Sequence, residues 1–102
     1  MHLVQILLPL QRPDGSRQPA ERFALVRKEL VERFGGLTAF SRAPAEGLWA
    51  DHRGDVDRDQ IVIFEVVADE LDRHWWTDFR RRLEQDFGQE EILIRASPSE
   101  RL

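Results

Sequence analysis

The chain has 102 residues, no cysteine, and a net charge of −4, with 15 basic residues scattered among 19 acidic ones. That length suits one domain, which buries roughly two-thirds of its unfolded surface and so builds a core without disulfides or metal. The missing thiols exclude a disulfide framework, a thiolate metal site and a cysteine nucleophile, and the mixed charge argues against the basic face that nucleic acid requires.

His2 to Leu8 is apolar except for Gln5, a short Leu/Ile/Val run that predicts a buried central strand. No Lys or Arg precedes Arg12, and no apolar stretch approaches the ~20 residues of a membrane span, so a cytoplasmic chain without a leader or membrane partner is expected. Pro13-Asp14-Gly15 then predicts a turn, with Pro presetting φ and Gly accepting a positive one.

Pro19 suits the first position of a helix. Phe23, Val26, Leu30 and Phe34 follow at spacings of three, four and four, one apolar stripe, with Glu29 and Arg33 in the favourable i,i+4 order outside it. Gly35-Gly36 predicts the stop. Leu37 to Ser41 reads as a second strand. Beyond it, Gly47 to Ala50 is expected to pair with Asp57 to Gln60 through a turn at Asp51-His52-Arg53-Gly54. Ile61 to Val67 carries the strongest strand pattern in the chain. Asp69 is the expected cap of a second helix, along which Leu71, Trp75, Phe79, Leu83 and Phe87 recur every four residues with Trp76 inside the same arc. Gly88 ends it, Ile92-Leu93-Ile94 forms the last strand, and 97–102 is a tail after a domain at 1–96.

The order β-α-β-β-α-β predicts a ferredoxin-like α+β sandwich, with a four-stranded antiparallel sheet in the order 4-1-3-2 and two helices on one face. Arg33-Phe34-Gly35-Gly36-Leu37-Thr38, then Gly47-Leu48-Trp49, then Arg58-Asp59, resembles a family of small bacterial proteins of unknown function that carries Gly-Leu-Thr, Gly-x-Trp and Arg-acidic motifs. The resemblance covers roughly residues 10 to 67. It implies the same fold and transfers no catalytic residue.

Most chemical motifs are missing. His2, His52 and His74 fall on a strand start, a turn and a helix, a spacing unsuited to zinc, so no metal is expected. Asp55-x-Asp57-x-Asp59 resembles the start of a calcium loop, but Gln60 and Val66 occupy the positions that need Gly and Glu, leaving a solvated turn. No serine elbow, Walker loop or dinucleotide glycine pattern is present, and no cofactor is expected.

Glu65 stands out because it interrupts the best strand. Alternation places Val62, Phe64 and Val66 on one face, expected to meet the helices, and Ile61, Ile63, Glu65 and Val67 on the other. The same parity puts Leu3, Gln5 and Leu7 of the first strand, and Leu93 and Arg95 of the last, on that second face. It is too apolar to stay wet. A homodimer through this face is therefore expected, enclosing a small, largely apolar molecule. Glu65 is then the candidate acid/base, Gln5 and Arg95 orient the ligand, and Trp49 lines the rim. The alternative is a noncatalytic assembly module that uses the same face with no pocket.

Overall fold

Strand β1 (His2–Pro9) occupies the middle of the molecule because it is apolar on both faces. It lies between β3 (Val56–Ala68) and β4 (Ile94–Pro98), and β3 pairs in turn with β2 (Thr38–Ala50), giving one antiparallel sheet in the order β2-β3-β1-β4. Helices α1 (Ala20–Phe34) and α2 (Arg73–Asp86) complete the β-α-β-β-α-β order of a ferredoxin-like α+β fold. The computed structural model describes the backbone of residues 1–50 and 56–102 and the side chains of 1–40 and 60–102. Among these, no helix is long and apolar enough to cross a membrane.

The core follows the alternation. Val4, Ile6 and Leu8 of β1 and Val62, Phe64 and Val66 of β3 are buried on one face. Val26 and Leu30 of α1 and Trp76, Phe79 and Leu83 of α2 meet them there, with Phe87 and Ile92 closing the end. Both helices therefore cover the same face, and the opposite one stays open. Trp75 is half-buried at the margin, stacked on Phe79 at 5.5 Å or less from both Phe79 and Phe34.

The turn forms as its residues dictate. Gly15 takes φ 86°, its N–H donates to the Arg12 carbonyl, and the Arg12 N–H donates to the Ser16 carbonyl. The Ser16 hydroxyl and N–H both donate to Asp14 and hold its carboxyl below the ordinary carboxylate range. The turn's share of stability is thus present above the unfolded-state value and lost as pH falls through the lowered one. Just beyond, buried Gln18 ties this loop to α2: its Nε2 donates to the carbonyls of Phe87 (2.7 Å) and Gln11 (3.3 Å), while its Oε1 accepts from Arg22. Gln18→Ala strips these bonds from a dry site. It is expected to lower stability by about 1–3 kcal/mol in a urea melt, and a loss near zero would show that water replaces the amide.

Several expectations need correction. The cap of α2 is Asp72, which accepts the Trp75 N–H, rather than Asp69; the chain bends through Asp69 and Glu70 before the helix axis begins. Pro19 stands one place ahead of α1, at its N-cap. Glu29 and Arg33 do not pair with each other: with α2 packed alongside, Glu29 takes Arg82 and Arg33 takes Asp72, 3.7 Å away. The second strand starts at Thr38 and runs on to Ala50, with a register shift between Phe40 and Ala45. The expected pairing of Gly47 to Ala50 with the segment before Gln60 is present, as Gly47↔Asp59 through Ala50↔Val56. Its turn, 51–55, lies outside the described residues.

The last strand is shifted two residues along. The Ile92 N–H donates to the Glu84 carboxylate and so holds Ile92 on α2, and pairing with β1 starts only where the Leu7 N–H reaches the Leu93 carbonyl. Ser97 and Pro98, expected in the tail, pair with Leu3 and His2.

Candidate functional site

The open face of the sheet can be read row by row from the register. One row crosses all four strands: Thr38 opposite Glu65, Glu65 opposite Gln5, Gln5 opposite Arg95. It is polar throughout. On one side of it runs the apolar row Phe40–Ile63–Leu7, and on the other Val67 and Leu3 beside Ser97. Leu3, Leu7, Ile61 and Ile63 are half-buried, and Phe40 (46%), Val67 (39%) and Leu93 (49%) are exposed. This is a sizeable apolar surface around a polar stripe.

The stripe is internally bonded. Gln5 Nε2 donates to Glu65 Oε1 (2.5 Å), and Gln5 Oε1 accepts from Arg95 Nε (2.7 Å). Sequence parity placed Glu65 and Arg95 on one face. β1 lies between β3 and β4, so within one chain the two side chains flank Gln5 and no ion pair joins them among the described residues. The Gln5 amide fills the gap, turned by the charges on either side: its NH₂ faces the carboxylate and its carbonyl faces the guanidinium. Glu65 Oε2 has no hydrogen-bond partner among the described residues. The row therefore offers a carboxylate oxygen, held from behind by Gln5, to whatever covers the face.

Of the four residues singled out by sequence, Gln5, Glu65 and Arg95 are brought together and Trp49 is not. Trp49 pairs with Asp57, eight positions along β3 from Glu65, about 26 Å at ~3.3 Å per residue. Within one chain it cannot line a site at Glu65. Its side chain and the acidic side chains of the same hairpin lie outside the described residues. Thr38 and Phe40 were missed. Both belong to the open face because they pair with Glu65 and Ile63, a register that rests on contacts distant in sequence.

Among the described residues, grooves lie elsewhere. One of about 530 Å³ runs between α2 and the β4 edge, bordered by Leu71, Arg73, Trp76, Ile94, Ala96 and Pro98. The other, about 280 Å³, separates α1 from α2 near Leu25 and Phe87. Neither is lined by Glu65, though Arg95, at the end of the polar row, lines the first.

No family model and no curated protein matches the chain. Among solved structures it resembles a phage SAM lyase in complex with S-methyl-5′-thioadenosine, with a TM-score of 0.61 and 17% identity over 94% of this chain and 79% of that one. The apo state of a phage SAM lyase matches equally well, with a TM-score of 0.61 and 15% identity over 94% and 78%. At these identities the likeness establishes the fold.

Proposed function

We propose that this protein is a small-molecule-binding domain whose open sheet face is closed by a second copy, with the Arg95–Gln5–Glu65 row as the polar floor of the ligand site. The observation that carries the reading is the row itself: a carboxylate held by Gln5 and offered from the middle of an apolar surface. Apolar faces with a few convergent polar groups are the usual chemistry of ligand sites. A second copy shields the site from water and makes the carboxylate a stronger partner for a cation. The ligand class is accordingly a compact molecule with apolar flanks and one cationic centre.

SAM carries a cationic sulfonium centre, and the fold shared with a phage SAM lyase makes it the first compound to test. S-methyl-5′-thioadenosine keeps the adenosine and the S-methyl group but lacks the sulfonium charge and the amino-acid arm. Calorimetric titration of both is expected to show SAM binding at least tenfold tighter, about 1.4 kcal/mol. In Glu65→Gln the preference should disappear, and in Gln5→Leu it should shrink because the carboxylate loses its support. Equal affinities in the wild type, or a preference that survives Glu65→Gln, would remove Glu65 from the site. Binding of neither compound by an assembled dimer would favour the assembly module without a pocket.

A further inference from the structure

The polar row holds two charges, and a cationic ligand answers only one of them. Arg95 lies opposite Gln5 on β4, on the face that also carries Glu65. Its Nε donates to Gln5 Oε1 at 2.7 Å, a bond to a neutral amide. Other arginines find carboxylates: Arg80 meets Glu84, Arg82 meets Glu29 and Arg33 meets Asp72. Arg95 meets none among the described residues, because Gln5 stands between it and Glu65. The Gln5 bond occupies Nε and leaves the two terminal nitrogens without a partner among the described residues. Together they form a planar fork that takes a carboxylate through two parallel hydrogen bonds.

The row is thus a dipole held at its middle. A carboxylate oxygen is open at β3, a guanidinium fork is open at β4, and the Gln5 amide between them is bonded to both. A lone cation satisfies Glu65 and leaves Arg95 desolvated without a counter-ion, and a lone anion does the reverse. Either costs free energy as the face closes. Resting on the ligand-site reading above, we propose that Arg95 binds a carboxylate of the same ligand whose cation meets Glu65, which narrows the class to a zwitterion laid across β3, β1 and β4. The carboxylate has one rival source. A two-fold axis along β1 lays Glu65 of a second copy over Arg95, and the two charges then close on each other with no ligand between them.

Decarboxylated SAM keeps the adenosine, the sulfonium and the amino group of SAM and lacks only the carboxylate, so it carries the greater positive charge. A site that reads the cation alone binds it at least as tightly as SAM. Calorimetric titration of the wild type should instead show SAM binding about tenfold tighter than its decarboxylated form. Arg95→Gln sets an amide nitrogen where Nε stood, which keeps the donor to Gln5 and removes the fork. The row is then net negative and the order of the two compounds should reverse. The unfolding midpoint should stay near the wild-type value, because Arg95 is exposed on an edge strand. Glu65→Gln leaves the row net positive, which repels the sulfonium arm although the fork remains. Decarboxylated SAM binding as tightly as SAM to the wild type, or an order that survives Arg95→Gln, would overturn the proposal and leave the role of Glu65 standing. Binding of neither compound would end both readings. Ligand-free dimers, followed by light scattering on dilution, separate the rival source. Dissociation about tenfold more ready in Arg95→Gln would also overturn the proposal, because the counter-ion of Arg95 would then be Glu65 of the second copy.

Discussion

Phe64→Ala is expected to lower the unfolding free energy by about 3–5 kcal/mol, a large share of the 5–15 kcal/mol available to a domain. Phe64 lies at the centre of the core face, opposite Ile6 on β1 and Ala39 on β2, and none of its surface reaches solvent. Helix α1 packs on its strand, and the Arg27 guanidinium lies 5.9 Å from its ring centre. Truncation removes the transfer free energy of a phenyl group and leaves a cavity that strands bonded on both sides cannot collapse to fill. A denaturant melt checks the figure. A loss under 1 kcal/mol would mean that the layer relaxes around the void, contrary to its two-sided support.

Ile63→Arg, one residue away on the opposite face, is expected to act on assembly and leave the fold intact. Ile63 sits between Leu7 and Phe40 on the open surface, so a single folded chain accommodates an arginine there with its charge in water. A dimer through that face cannot, because the charge is desolvated without a partner. Burying even ~600 Å² of apolar surface offers on the order of 15 kcal/mol before the costs of association. A symmetric pair uses the same patch twice. Light scattering at micromolar concentration should give two chains for the wild type and one for Ile63→Arg, with nearly equal thermal midpoints. A wild-type mass of one chain, 12.0 kDa, would remove the dimer and the enclosed ligand site with it.

Glu65→Gln tests chemistry at the same surface without disturbing its shape. The two variants therefore separate failure to assemble from failure to bind.

Much of this architecture is legible in the amino-acid order. The element sequence, the stripes of both helices, the stop at Gly35 and the buried parity of β1 and β3 rest on periods of 3.6 and 2 and on glycine's access to positive φ, all properties of short segments. Parity alone also placed Gln5, Glu65 and Arg95 on one face. The remaining features depend on which segments become neighbours. Asp72 caps α2 because the chain bends before entering the helix. Glu29 finds Arg82 because α2 lies beside α1. β4 begins at Ile94 because the Glu84 carboxylate holds the Ile92 N–H on the helix. Above all, Gln5 bridges Glu65 and Arg95 because β1 is inserted between their strands, and Thr38 and Phe40 join the open face only through the register of β2 on β3. Local periodicity determines which way a side chain points. The side chain it meets depends on strand order and register, which are settled by backbone hydrogen bonds between distant segments, such as the Ser99 N–H to the Met1 carbonyl.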